Sequence, residues 1–547
     1  MTDKKITSSS SNNTGDEKDE KASFTTVADN VLKNRRSQGN KGEDASESTT
    51  TSTTRRRKDK RPAWLKVPLY FVVIAVLVRL YMRLDSVSNR DRTKTLIYNA
   101  TIVNDNEMFL GSVLIEGEKI KMILHQENDQ DKLSNIMADR EYDKFINGTG
   151  LHLLPGVIDD QVHFREPGLT HKANIFTESR AAAAGGVTTF IEQPNTNPQT
   201  TTQELLEQKF QIAQNSSLIN YSFMLGGTLT NLDEILKTNG RNVAGIKLFL
   251  GSSTGNMLVD DPKVLDDIFS KTKLLIAAHC EDEKTIRENS KIHKEKYGED
   301  VPIRCHPDIR SAEACYLSSS YAVSLAKKHN TRLHIFHIST ERETHLFDNE
   351  TPLAKKRITS EVCIHHLWFS DKDYETKGAF IKWNPSVKTE QDREGLWKAL
   401  LDDRLDVIAT DHAPHTISEK TSSYFKAASG GPLVQHSLVA MLDFYHQGKI
   451  SLEKIVEKMC HNPAIVFQIE KRGFIRKGFK ADLVLVDLDD PWTVDKSNIL
   501  YKCGWSPFEG HTFKSKVKKT FVNGALVYDE GEINEKVRGQ RLLFERS

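Results

Sequence analysis

Cysteine is scarce in this chain: six in 547 residues, none arranged as a CxxC pair. That disfavours a small disulfide-dense scaffold. A surplus of charge of either sign is also missing. Seventy-six basic side chains face 75 acidic ones, for a net charge of +1, which offers no basis for a nucleic-acid surface and no nucleic-acid partner is expected. Residues 1–62 lack aliphatic periodicity. They are rich in Ser, Thr, Asn, Lys and acidic residues and cannot bury enough apolar surface to offset the entropy of ordering, so this tail is expected to be disordered. Its early acids, Asp3, Asp16 and Glu17, argue against a transit peptide.

Long apolar runs are rare too, with one exception. From Val67 to Val78 no charged residue interrupts the chain. Twelve helical residues rise only about 18 Å, and extension to Leu84 gives about 27 Å if Arg79 and Arg83 reach back to the interface. A helix here has polar flanks and no core to enter. A single transmembrane anchor over 66–84 is therefore expected. The basic cluster Arg55-Arg56-Arg57-Lys58 places the tail on the cytosolic side, against which Arg79, Arg83, Arg90 and Arg92 pull.

From Thr95 onward the pattern is α/β. Eight short apolar runs read as strands over 154–161, 188–193, 219–225, 243–249, 273–279, 332–337, 356–363 and 406–411. Helical stretches over 173–185, 202–214, 308–328, 390–402 and 432–446 lie between or after them. Eight βα units at this spacing predict a (β/α)8 barrel over 153–469. The β-rich flanks, 95–152 and 470–545, are expected to pair into one composite β-sandwich.

Catalytic groups of such barrels sit where strands finish. His163 follows the first strand, Lys247 lies in the fourth, His279 and His337 end the fifth and sixth, and Asp411 ends the eighth. Any one of these alone is more often a packed or surface residue. Five at matching ends converge on one mouth, and imidazole with carboxylate suits Zn2+. A cationic lysine is no ligand. Carbamylation of the Lys247 amine would turn it into a carboxylate able to bridge two metals.

Leu154-Pro-Gly-Val-Ile-Asp-Asp-Gln-Val-His-Phe-Arg-Glu-Pro-Gly168 resembles the opening signature of cyclic amidohydrolases, and Arg165-Glu-Pro-Gly168 is similar to that of dihydroorotases. The likeness continues through Gly245-Ile-Lys-Leu-Phe249, His279-Cys-Glu281, His334-Ile-Phe-His-Ile-Ser339, Ala409-Thr-Asp-His-Ala-Pro-His-Thr416 and Ser506-Pro-Phe-Glu-Gly510, and spans about residues 95–545. It implies a metal-dependent hydrolase of the TIM-barrel class that opens L-dihydroorotate to N-carbamoyl-L-aspartate, and closes it in de novo pyrimidine synthesis. It also implies an oligomer of identical chains. The resemblance makes His163 the second member of an HxH pair, Lys247 the bridge, His279 and His337 the ligands of the second metal, and Asp411 both ligand and general base. Asp159 would support them from behind.

Gln161 stands where the first His of that pair belongs. An amide oxygen is a weaker zinc ligand than imidazole, so one firm zinc site and a second, weak or absent one are expected. For a substrate bearing a ring carboxylate the resemblance assigns Arg165, with Asn195 and His415 beside it, and Asn384 to a further contact. A guanidinium can grip a carboxylate bidentately. His334 reads as a core or supporting residue, His365 and His366 are left open, and Cys280 reads as packing. Two alternatives stand beside dihydroorotate hydrolysis: allantoinase or another cyclic amidohydrolase, and a catalytically inactive, membrane-tethered scaffold.

Overall fold

A computed structural model describes residues 93–138, 142–251 and 257–546. The expected tail over 1–62 and anchor over 66–84 lie outside the described residues. Among the described residues no helix is long and apolar enough to cross a membrane.

Eight parallel strands pair in chain order: β1 (Val157–Val162), β2 (Val187–Glu192), β3 (Asn220–Gly226), β4 (Gly245–Phe249), β5 (Ile276–His279), β6 (Leu333–Ile335), β7 (Ile358–Cys363) and β8 (Val407–Ala409). All eight fall within a few residues of the expected runs. Val162, the last residue of β1, bridges His412, a few residues past β8, and the His163 N–H donates to the His412 carbonyl at 2.7 Å. This brings the first and last strands together. Apart from Ile358, every residue of the eight strands is buried. Burial on both faces is why several of these strands are rich in apolar residues without a strict polar–apolar alternation.

Outward-facing Phe190, Phe223, Ile246 and Ile335 belong to the large core shared with the surrounding helices. Inward-facing Ile158, Ile191, Met224 and Ala277 pack against Val466, Phe467, Leu542 and Phe544. The C-terminal segment is pinned there: the Tyr221 N–H donates to Gln540 O and the Leu542 N–H to Tyr221 O, each at 3.0 Å.

Polar side chains start the helices. Asn174 and Thr177 form a capping box before Ile175–Ala184, Thr202 caps Gln203–Ser216, and Thr389 with Asp392 caps Glu390–Leu401. Two expected helices differ. The stretch 308–328 is divided into His306–Ile309 and Ala312–His329, because Arg310 leaves helical geometry (φ −96°, ψ 69°) and Ser311 caps the second helix. The stretch 432–446 is helical only from Ser437.

The flanking segments share one nine-stranded sheet. His152–Pro155 joins Lys94–Asn104 on one side and Leu483–Asp487 on the other. Ile97, Ile102, Val113 and Ile115 from before the barrel cluster with Leu483, Leu485 and Phe521 from after it. The two flanks thus meet through a continuous sheet rather than through two separate ones.

Candidate active site

The strand ends converge on a small cavity lined by Gln161, His163, Arg165, Lys247, Phe249, His279, His337, Trp383, Asn384 and Asp411, with Ser429 and Gly430 at its rim. Seven of the nine residues singled out in the sequence besides Gln161 line this cavity. Asn195 and His415 stand one layer back. Backbone strain gathers at the same place: Arg165, His337 and Asp411 adopt φ of 69°, 43° and 46°. Left-handed backbone outside glycine costs on the order of 1–3 kcal/mol and persists where packing over-determines it. The Arg165 loop turns through Gly168 (φ 82°), where a Cβ would come within 1.8 Å of the Asn197 carbonyl oxygen. That close approach explains the glycine of the Arg-Glu-Pro-Gly segment.

His163 bridges two neighbours. Its Nδ1–H donates to Asn195 Oδ1 (2.8 Å), which directs Nε2 toward Asp411 Oδ1 at 3.1 Å. Across the mouth His279 Nδ1 and His337 Nε2 lie 3.0 Å apart, while His337 Nδ1 is buried without a hydrogen-bond partner among the described residues. Burial lowers the basicity of all three imidazoles, and for His163 and His337 the effect is large. They are neutral, lone-pair donors at ordinary pH. Burial also brings the Lys247 amine down to about 7 and pushes the Asp411 carboxyl up to about 7, although Lys247 and His279 pull the latter the other way. A partly neutral lysine amine is the form that adds carbon dioxide. The donor set fits a zinc-type ion, with converging neutral imidazoles, a carboxylate and an orphaned ring nitrogen.

The supports behind these ligands were not all legible in the sequence. Glu281 Oε2 lies 3.1 Å from His279 Nε2 and 2.7 Å from Arg310 Nη2. Burial opposes its ionisation, but the Arg310 guanidinium and His279 hold the Glu281 carboxyl below the usual carboxylate range. The His279-Cys-Glu281 segment marked the place, yet only the break at Arg310 shows what holds Glu281. Asp159 accepts from the Thr410 hydroxyl (2.6 Å) and, at 3.3 Å, from the Gln161 and Thr410 N–H groups. It thereby ties β1 to the turn that presents Asp411. Gln161 Oε1 accepts a weak thiol hydrogen bond from Cys363 (3.6 Å).

One wall is built for an anion. Arg165 is 2% exposed; burial brings its guanidinium down to about 10, so it keeps its charge near neutrality. Its Nε donates to Pro414 O (3.1 Å) and Nη2 lies 3.0 Å from His415 Nε2. His415 thus orients Arg165 rather than facing the cavity, as Asn195 orients His163. Lys172 and Glu419 extend this network around His415; Lys172 lies on a turn and Glu419 in the short helix Ile417–Lys420, and no local pattern announces their meeting. Asn384 Oδ1 is buried in the wall without a partner among the described residues, an acceptor aimed at a ligand N–H. His334 is held in the core by Thr359, His365 stacks on Trp383 at 4.3 Å, and burial pushes the Cys280 thiol far up, leaving it unreactive.

Residues 152–527 match the model of the amidohydrolase family. A dihydroorotase of Halobacterium salinarum is 34% identical over 383 residues, 69% of this chain and 86% of the relative. A dihydroorotase of Methanosarcina acetivorans is 32% identical over 450 residues, 80% and 93% of the two chains. Among solved structures, the L-hydantoinase (dihydropyrimidinase) of Arthrobacter aurescens superposes with a TM-score of 0.75 at 26% identity, covering 80% of this chain and 97% of that one. The dihydropyrimidinase of Brevibacillus agri has the same fold, with a TM-score of 0.72 at 23% identity and coverage of 83% and 100%. With the barrel, the converging ligand set and these relatives in agreement, the chain belongs to the amidohydrolase family, among its cyclic-amide hydrolases.

Proposed function

We propose that the chain is a dihydroorotase, catalysing the reversible hydrolysis of L-dihydroorotate to N-carbamoyl-L-aspartate. The observation that carries this reading is Arg165: a buried, oriented guanidinium in the wall of the cavity that holds Asp411, with Nη1 left without a hydrogen bond among the described residues. A buried cation facing a cavity calls for an anionic ligand, and the ring carboxylate of dihydroorotate supplies one. Hydantoinase and dihydropyrimidinase substrates do not require it.

His163, His279, His337 and Asp411 would hold zinc, with Lys247 as a carbamate bridging two ions and Gln161 weakening one of the two positions. Such an ion, when bound, polarises the amide carbonyl and makes water a stronger acid. Asp411 takes a proton from the attacking water and delivers it to the leaving ring nitrogen, a role suited to a carboxyl near neutrality. Arg165 grips the carboxylate, and Asn384 Oδ1 accepts from a ring N–H. The apolar run Val67–Val78 supports a single-pass anchor over 66–84, the basic cluster Arg55–Lys58 supports a tail 1–62 on the cytosolic side, and the family supports assembly of identical chains.

The test is a comparison of L-dihydroorotate with dihydrouracil, which has the same ring and no carboxylate. Dihydroorotate should be turned over with kcat/KM at least about 100-fold higher, the scale of a charged hydrogen-bonded pair. Equal or better use of dihydrouracil would overturn the reading in favour of a dihydropyrimidinase.

A further inference from the structure

Below the mouth, the barrel interior holds a second group of ligand-type side chains. Asp160 precedes Gln161 on β1, His334 lies on β6 and Glu361 on β7, and all three are fully buried. His334 Nε2 stands 3.4 Å from Asp160 Oδ2 and 3.3 Å from Glu361 Oε2. Both oxygens of Asp160 are without a hydrogen-bond partner among the described residues.

The tautomer of His334 sharpens the problem. His334 Nδ1 lies 2.8 Å from the Thr359 hydroxyl oxygen, which also stands 3.4 Å from Leu333 O, an arrangement that accommodates an Nδ1–H donating to Thr359 while the hydroxyl turns to Leu333. In the neutral ring Nε2 then turns a lone pair toward two carboxylates. Two buried carboxylates and a lone pair need a cation among them, since isolated buried charge is costly. One proton on Glu361 would satisfy at most one oxygen of the pair. A divalent ion would neutralise both.

We propose that Asp160, His334 and Glu361 form a buried divalent-metal site, separate from the one at the mouth, and that zinc is the ion it fits best. Zinc–nitrogen and zinc–oxygen bonds of about 2.0–2.2 Å make the edges of a tetrahedron about 3.3–3.5 Å long, which is the spacing of His334 Nε2 to its two partners. Thr359 supplies the hydrogen bond that such a histidine ordinarily makes through its other nitrogen. The site is also wired to the mouth. Glu361 Oε1 accepts from the His337 N–H (3.2 Å), and the Cys363 sulfur lies 3.8 Å from Glu361 Oε1 and 3.6 Å from Gln161 Oε1, so that its one S–H can serve either. An ion held there would brace the strand ends from beneath, at the position where Gln161 leaves the upper ligand set weakest.

The experiment is anomalous diffraction at the zinc absorption edge on the zinc-loaded full chain. A peak between Asp160 Oδ2, His334 Nε2 and Glu361 Oε2, resolved from any peak at His279 and His337, is expected. No peak there while the mouth is occupied overturns the proposal and leaves a proton as the occupant. In solution, the Asp160→Asn/Glu361→Gln variant should bind about one zinc fewer per chain by elemental analysis, while His279→Ala keeps the deep ion. Unchanged zinc in a folded double variant would also overturn it. The diffraction measurement needs no variant, so it decides the matter even if the double variant does not fold. Its outcome at the deep site is read independently of dihydroorotate turnover, so the two readings fail separately.

Discussion

The Glu281 carboxylate approaches His279 Nε2 to 3.1 Å from the side opposite Nδ1, the nitrogen that faces His337. Arg310 holds that carboxylate in turn. A carboxylate in this position fixes the imidazole tautomer and raises its basicity as a ligand. Glu281→Gln should therefore weaken zinc binding at the mouth roughly 10–100-fold while the protein stays folded. Competition against a chelator reads this directly, and unchanged affinity would show that Glu281 serves only Arg310.

Lys247 is surrounded by aromatic rings, its Nζ 3.9 Å from the Phe336 centroid and 4.8 Å from that of Phe249. Those ring faces favour a cation, but burial brings the amine down to about 7, and the neutral fraction is the form that can add carbon dioxide. Stripped protein reloaded with zinc should regain several-fold more activity with bicarbonate than in buffer purged of carbon dioxide. Lys247→Ala should lose about 1,000-fold or more in kcat and no longer respond to bicarbonate. Equal recovery with and without bicarbonate would count against the carbamate.

Arg165 makes its contacts through two differently placed nitrogens, to Pro414 O and to His415. A lysine cannot reproduce that fork. Arg165→Lys should raise KM for dihydroorotate roughly 10–100-fold, with a smaller change in kcat, the cost of a charge-assisted hydrogen bond. His415→Ala should move KM the same way and less far, since it acts through Arg165. A pure kcat effect in Arg165→Lys would place the guanidinium at the reacting bond instead.

Much of this was legible from the chain alone, and the reasons differ by element. Several of the strands showed because they are buried on both faces and so are rich in apolar residues, as in Ala277-Ala278 before His279, whereas Val157–Val162 carries Asp159, Asp160 and Gln161 inside the barrel. The side chains that meet at the mouth showed because the barrel puts them at strand ends. The helix break at Arg310 did not show, since Ser311 is a good cap but nothing local says that the preceding arginine must reach Glu281, 29 residues away. For Asn195 and His415 the sequence points to the mouth but does not say that they face His163 and Arg165. The deep group of Asp160, His334 and Glu361 was hidden for the same reason, being split across three strands.

Glu343 provides a test of the packing away from the site. It is 2% exposed, accepts from the Thr340 hydroxyl at 2.9 Å, and burial pushes its carboxyl up to about 7 from 4.5. Between those values the folded chain holds a proton that the unfolded chain has released, so stability falls as pH rises through that window and levels above it. Glu343→Gln removes that slope. The variant should match the unmodified protein in unfolding free energy near pH 4.5 and exceed it near pH 8, by an amount on the order of 3 kcal/mol at most. A variant less stable than the unmodified protein at pH 8 would contradict the buried-acid account.

The central claim is that this cavity opens the dihydroorotate ring with Asp411 carrying the proton. The loss of ultraviolet absorbance on ring opening, followed for the zinc-loaded full chain and for Asp411→Asn, tests it most directly. The account predicts turnover by the unmodified chain despite Gln161, and a fall of about 1,000-fold or more in kcat for Asp411→Asn, with the variant folded. No turnover in either direction by folded, zinc-loaded protein, or full activity in Asp411→Asn, would contradict it.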